Sequence, residues 1–87
     1  YKDALKIDFS EGGHITPGAD NTQDFGSNSK RWRNIYSADL QLSNVDTGGN
    51  DVDGSEGSWT IQEGENDLFI INRKNGKKYK FNLEEVE

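Results

Sequence analysis

The chain has 87 residues, carries a net charge of −6 and is only 30% hydrophobic, so we expect one small domain with little apolar surface to bury. It has no cysteine and a single histidine, which excludes disulfides and a Cys/His zinc site. No apolar run is long enough to cross a membrane, and the acidic balance disfavours nucleic acid as a partner. Association between copies is the remaining way to stabilise such a chain. Because the sequence starts at Tyr1 without Met, we expect a fragment of a longer protein.

The N-terminal third contains one clear strand pattern. Residues 4–9 alternate apolar and polar side chains, which predicts a half-buried strand. Residues 14–16 are a short extended piece that ends at the turn signal Pro17-Gly18. Residues 18–29 are polar and predict a loop with one apolar anchor, Phe25.

Residues 29–38 form the only segment with a helical pattern. Trp32, Ile35 and Tyr36 are spaced i, i+3 and i+4, which would place them on one packed face. Ser27 or Ser29 is suited to cap this helix, which at about ten residues requires tertiary packing. A short alternating strand follows at residues 39–43.

Residues 44–57 predict an acidic loop between two strands. The segment contains four glycines and four acidic residues without a basic one. A calcium loop of the EF-hand type does not fit, because the required first and twelfth ligands would fall on Gly49 and Thr60. A looser ion site that uses Asp46, Asp51 and Asp53 is an alternative to a simply solvated loop.

The C-terminal third predicts a β-hairpin region. Strands are expected at residues 59–62, 67–73 and 77–83, and Asn75-Gly76 indicates a two-residue hairpin turn. That turn would place Ile70 opposite Phe81. The strand over residues 68–71 is apolar on both sides, so one side should face the core and the other a neighbouring subunit. The residues predicted to be structural in this region are Trp59, Leu68, Phe69, Ile70, Ile71, Tyr79 and Phe81.

These patterns together predict a mainly β fold, with short antiparallel strands, a C-terminal hairpin and one short helix, assembled as a homotrimer. We expect residues 1–87 to be a single domain, with a strand, loop and helix brace at 1–43, the acidic loop at 44–57 and the hairpin region at 58–87.

The sequence gives weak support for catalysis. The closely spaced acids Glu63, Glu65 and Asp67 stand near an aromatic residue, as a glycosidase would require, but the chain offers little scaffold for a cleft. The basic segment 30–33 could bind a phosphate, although its cations are better explained as the solvent-exposed face of a short helix. His14 lacks a nucleophile partner in the sequence, and could bind an ion with its copies in a trimer. We therefore expect no enzyme activity, no cofactor and no resident metal.

Two segments resemble a known family. Residues 17–36 are similar to the P-x-x-D-N-T-x-D-L-G-S-x-x-x-R-W-x-N-I-Y segment that recurs in bacteriophage tail fibre and tail spike proteins. Residues 59–80 resemble the ends of such fibres, especially those of marine phages. Phe25 stands where the family usually has Leu. The resemblance implies a parallel homotrimer on the virion, outside the host cell, and it does not imply one receptor.

The expected function is therefore a structural and host-attachment domain of a tail fibre, which trimerises the fibre and binds a cell-surface glycan or protein. The alternative is a piece of a spike that depolymerises polysaccharide. Loops carry binding more often than packed strands. The residues expected to contact neutral sugar hydroxyls are Asn44, Asp46, Asn50, Asp51 and Asp53. The cations around the hairpin tip are the alternative site, for phosphate or uronate groups.

Overall fold

The computed structural model describes residues 5–8 and 12–87, and forms two compact units, Tyr1–Ile35 and Tyr36–Glu87. The described residues contain six β-strands in two antiparallel sheets, which confirms the prediction of a mainly β chain. They contain no helix, and therefore none that could span a membrane.

The first unit is built on a two-stranded hairpin. Strand β1 (Leu5–Asp8) pairs antiparallel with β2 (His14–Pro17), and Ile7 lies opposite Ile15. Gly12 and Gly13 precede β2 with positive φ values of 92° and 80°, a conformation that glycine adopts without strain. The strand predicted at residues 4–9 is confirmed over β1, and its two end residues lie outside the described part.

The predicted helix at residues 29–38 is wrong. The Ser27 hydroxyl accepts a hydrogen bond from the Lys30 amide at 3.0 Å, as a capping serine would. However, the Ser27 amide donates to the Lys30 carbonyl at 3.1 Å, which closes a tight turn over residues 27–30, and no helix follows this turn. A segment of about ten residues with two Ser and one Asn is too short and too poor in helix formers to form a helix alone.

The aromatic residues of this segment stack locally instead of forming a helix face. The rings of Phe25 and Trp32 lie 5.1 Å apart with an interplanar angle of 20°. Both side chains remain largely exposed in the single chain, as do those of Ile35 and Tyr36. Their predicted role as packing residues thus stays a prediction about the assembled protein.

The second unit is a four-stranded antiparallel sheet in sequence order. Its strands are β3 (Leu40–Ser43), β4 (Ser58–Glu63), β5 (Leu68–Asn72) and β6 (Lys78–Lys80). Leu40 pairs with Ile61, Ile61 with Ile70, and Ile70 with Tyr79. A strand lies within each of the three segments predicted in the C-terminal third, although the last, predicted at 77–83, is limited to Lys78–Lys80; the strand predicted at residues 39–43 is present as β3.

The predicted register of the last hairpin is wrong by two residues. Ile70 lies opposite Tyr79, and the connection between β5 and β6 spans five residues, 73–77. The Asn72 amide donates to the Lys77 carbonyl at 2.9 Å, and the Asn72 carbonyl accepts from the Gly76 amide at 2.7 Å. The Asn72 and Asn75 side chains each accept from an amide within this loop, which stabilises the longer turn. An even shift keeps every side chain on its predicted face.

The sheet has two unlike faces. One, here called the apolar face, carries large hydrophobic side chains that are partly exposed in the single chain. Its members are Leu40, Leu42, Trp59, Ile61, Leu68, Ile70, Tyr79 and Phe81. The other, here called the polar face, carries Gln41, Thr60, Gln62, Phe69, Ile71, Arg73, Lys78 and Lys80.

The buried residues of the described part lie on the polar face. Ile71 is 7% exposed and Thr60 is fully buried. The Thr60 hydroxyl donates to Gln41 Oε1 at 2.5 Å and accepts from Arg73 Nε at 2.9 Å, so one buried group joins β3, β4 and the end of β5. The sequence had suggested that Phe69 and Ile71 need a neighbouring subunit as cover. In the structure Ile71 is covered within its own chain, and the opposite, apolar face is the uncovered one.

Candidate functional site

The loop at residues 44–57 connects β3 to β4 and is closed by one asparagine. The Asn44 amide donates to the Gly57 carbonyl at 3.2 Å, and Asn44 Oδ1 accepts from the Gly57 amide at 2.7 Å. Asn44 Nδ2 also donates to the Ser55 carbonyl at 3.2 Å. The side chain therefore extends the β3–β4 ladder beyond the last strand residues and fixes the base of the loop.

The tip of the loop is held by a second asparagine. Asn50 Oδ1 accepts from the amides of Val52 and Asp53 at 2.7 and 2.9 Å. Asn50 Nδ2 donates to Asp53 Oδ1 at 2.8 Å and to the Ser55 carbonyl at 3.0 Å. Both donors and both acceptor positions of this amide are thus used inside the loop.

Two glycines allow the loop to close on itself. Gly49 has φ +95°, and a Cβ placed on it would overlap the carbonyl oxygen of Gly54. Only a residue without a side chain fits this close approach. The loop path therefore depends on Gly49 as much as on its polar side chains.

The carboxylate of Asp53 is the most strongly bonded acid of the loop. Its Oδ1 accepts from the Ser55 hydroxyl at 2.7 Å, from the Ser55 amide at 3.0 Å and from Asn50 Nδ2. These bonds favour the ionised form and lower the pKa of Asp53 to about 2, with the Ser55 hydroxyl as the largest cause. Asp53 therefore remains a carboxylate throughout the ordinary pH range.

The five residues expected to bind a receptor divide into two groups. Asn44, Asn50 and Asp53 hold the loop together; the Asn50 amide is fully used there, and only part of the hydrogen-bonding capacity of Asn44 and Asp53 remains for a ligand. Asp46 and Asp51 have exposed side chains on the same loop, and Asp46 has a positive φ of 65°. Across residues 5–8 and 12–87, no three His, Cys, Asp or Glu side chains come together in a way that could hold a metal ion.

A groove of about 380 Å³ runs between the loop and the end of the sheet. Asn44, Asn50 and Ser55 line it on the loop side, and Leu42 and Trp59 line it on the sheet side. The Trp59 ring lies 6.0 Å from that of Tyr79, and a Cβ added to Gly57 would stand 3.1 Å from Trp59 Nε1. An indole beside amide and hydroxyl groups is suited to a sugar, because it offers an apolar plate next to hydrogen-bond partners.

The sequence predicted the polar half of this groove but assigned Trp59 to packing alone. The signal that could have suggested a second role is its position two residues after Gly57, where the acidic loop joins β4. A large aromatic side chain at a loop–strand junction often borders the surface that the loop presents.

None of the other candidate groups is among the residues that line this groove. Glu63 and Glu65 are exposed at the β4–β5 turn, which the Gly64 amide closes on the Asp67 carbonyl at 2.7 Å. His14 and Lys30 belong to the first unit and are exposed there. At the hairpin tip, Lys74 Nζ donates to the Glu56 carbonyl at 3.1 Å, so this cation is tied to the edge of the acidic loop.

No protein-family model matches the chain, and neither a curated protein nor a solved structure shows significant similarity to it.

Proposed function

We propose that this chain is a structural and host-attachment domain of a bacteriophage tail fibre, which joins three copies of the fibre and binds a cell-surface glycan or protein. The observation that carries the proposal is the uncovered apolar face of the four-stranded sheet. The resemblance of residues 17–36 and 59–80 to tail fibre segments supplies the biological setting.

The apolar face leaves several large hydrophobic side chains partly in water. Leu40, Leu42 and Tyr79 are about half exposed in the single chain, and Leu68 is only slightly less so. Full burial of such a side chain is worth about 1.5–3 kcal/mol, so covering the exposed halves of these four would contribute about 3–6 kcal/mol per copy. A contiguous exposed apolar surface of this kind marks an interface in most proteins.

The width of the sheet suits three copies. Four strands spaced about 4.8 Å apart form a sheet about 19 Å wide. Three such sheets arranged as the sides of a triangular prism would each lie about 5.5 Å from the axis, close to half of the ~10 Å spacing of packed sheets. Their apolar side chains would therefore meet at the axis without leaving a channel. Two copies packed face to face would bury the same residues, and the resemblance to trimeric fibres favours three.

The acidic loop supports the attachment half of the proposal. The loop lies at one end of the sheet, where a side chain on the trimer rim remains accessible. In the trimer, Trp59 on the sheet side of the groove would be covered with the rest of the apolar face. The loop side would remain for a ligand, with Asn44 in the groove and the exposed Asp46 and Asp51 near it in sequence. Three grooves on one particle would raise a weak affinity by about 10²–10⁴-fold on a dense receptor layer.

The mass of the particle in solution tests this proposal. Native mass spectrometry at micromolar concentration should give three times the 9.8 kDa of one chain. The same particle should adsorb to host cells and compete with whole phage for adsorption. A monomer at these concentrations would overturn the trimer, and a trimer that does not adsorb would restrict the role to assembly.

A further inference from the structure

The polar face carries a second groove, distinct from the one beside the acidic loop. It has a volume of about 380 Å³ and is lined by Gln62, Phe69, Ile71, Lys78 and Lys80 of this face, and by Tyr79 of the edge strand β6, which otherwise belongs to the apolar face. In the arrangement proposed above, the polar face points away from the trimer axis. The groove would then remain accessible in the assembled particle.

Strand pairing places the lining residues in two rows. Gln62 pairs with Phe69, which pairs with Lys80, so these three side chains lie side by side across β4, β5 and β6. In the next row Ile71 pairs with Lys78. Neighbouring side chains in a row stand about 5 Å apart at Cβ, which one sugar ring can bridge.

The floor of the groove is apolar and is packed against its own chain. Ile71 is among the few buried side chains of the described part. Phe69 lies against the backbone of the β4–β5 turn, since a Cβ added to Gly64 would come within 2.5 Å of its ring. An aromatic ring held in this way offers a fixed plate for the C–H face of a sugar.

The wall of the groove is cationic, although the chain as a whole is acidic. Lys78 and Lys80 project from the same face of β6 about 7 Å apart, and Arg73 stands at the end of the same face on β5. The Asp39 carboxylate accepts from Gln62 Nε2 at 3.2 Å, which leaves Gln62 Oε1 for another partner. The charge is therefore complementary to an anionic ligand.

We propose that this groove binds an acidic oligosaccharide, with a uronate carboxylate between Lys78 and Lys80 and the sugar ring over Phe69. Gln62 Oε1 accepts a sugar hydroxyl at the other end of the row. This inference rests on the proposed attachment function and names the chemical class of its receptor. It differs from the neutral-sugar groove beside Trp59 in both location and charge.

The test uses the 87-residue chain and two trisaccharides of similar size, galacturonate trimer and neutral maltotriose, with binding measured by calorimetry. We expect saturable binding of the acidic trimer at one site per chain and no binding of maltotriose. Lys80→Gln should weaken binding at least tenfold. Lys77→Gln makes the same charge change in the hairpin loop outside the groove, and should change binding less than twofold. Phe69→Leu keeps the floor apolar and should also weaken binding, because it removes the aromatic plate.

Three results would overturn the inference. The first is the absence of saturable binding of the galacturonate trimer by the parent. The second is an equal loss of affinity in Lys80→Gln and Lys77→Gln. The third is binding of inorganic tripolyphosphate as tight as that of the acidic sugar, which would mean that the groove recognises charge alone. Near-ultraviolet circular dichroism of each variant checks that the sheet remains folded. Sedimentation of the same samples separates this inference from the proposed function. A trimer that ignores the acidic sugar contradicts only the groove, and a monomer that binds it contradicts only the trimer.

Discussion

Replacing Leu42 with Asp separates the fold of one chain from the association of three. Leu42 lies on the apolar face, on the edge strand β3 next to the acidic loop, and is 47% exposed in the single chain. Since about half of its side chain already lies in water, the single chain should lose only about 1 kcal/mol of the 1.5–3 kcal/mol that full burial supplies.

The same change should be far more costly in the trimer. A carboxylate placed in an apolar interface costs several kcal/mol or changes its protonation state, and three-fold symmetry introduces three of them. With about 2 kcal/mol per copy as a low value, association weakens by about 6 kcal/mol, a factor of more than about 10⁴.

Sedimentation velocity at micromolar concentration measures this loss directly. Leu42→Asp should sediment as a single chain, while near-ultraviolet dichroism shows whether its tryptophans keep an ordered environment. Val52→Asp is the matched control, because Val52 is 95% exposed on the acidic loop and takes the same charge change outside the apolar face. The control should remain trimeric. If Leu42→Asp is as trimeric as the control, the apolar face is not the interface and the reasoning is wrong.

Three further predictions follow from the sheet and the loop. Thr60→Val removes the hydroxyl that joins three chain segments, and should lower the free energy of unfolding by about 1–2 kcal/mol in urea denaturation; an unchanged midpoint would contradict the buried network. Gly49→Ala should speed hydrogen exchange of the loop amides. Gly48→Ala has a similar φ and open space around its Cβ, and should speed this exchange less. Equal effects would show that the positive φ, and not the close approach to Gly54, causes the faster exchange. The Asp53 carboxyl should titrate with a pKa of about 2 by NMR. This pKa should rise in Ser55→Ala, because the Ser55 hydroxyl is the main cause of the lowered value. Since that pKa is lowered, the stabilisation that it brings to the loop is complete above the ordinary value near 4 and is lost as the pH falls towards 2; a midpoint near 4 in the parent would refute this.

The strands could be predicted because alternation is a local property. Leu40 and Leu42, for example, alternate with polar residues on one short segment, and the structure places both on the apolar face. The faces of β5 were also correct, since side-chain alternation is unaffected by a register shift of two residues.

The predictions of the helix and of the hairpin register were wrong for different physical reasons. The spacing of Trp32 and Tyr36 fits a helix, but the same spacing does not exclude a coil in which Trp32 stacks on Phe25. In the hairpin, Asn75-Gly76 indicated a two-residue turn, whereas the side chain of Asn72 also bonds within the loop and favours a longer one. Competing side-chain bonds of this kind are not visible in a residue pattern.

The candidate site was predicted by composition but not by geometry. The sequence located a polar loop at residues 44–57, yet it could not show that the side-chain amide of Asn50 forms its hydrogen bonds within that loop. The groove beside Trp59 and the cationic groove around Phe69 depend on which strands are neighbours, and therefore on the sheet order. Long-range pairing is the information that a single sequence supplies least.

Distances between copies of one spin label test the central claim most directly, which is that three chains meet through the apolar face. The chain has no cysteine, so a single introduced cysteine gives a unique labelling position. Leu68→Cys places the label on the apolar face, and Lys78→Cys places it on the polar face. Because packed sheets lie about 10 Å apart, the label-to-label distance at position 68 should be shorter than that at position 78 by about 10 Å or more. A longer distance at position 68 than at position 78, or no coupling between labels at either position, would contradict the account.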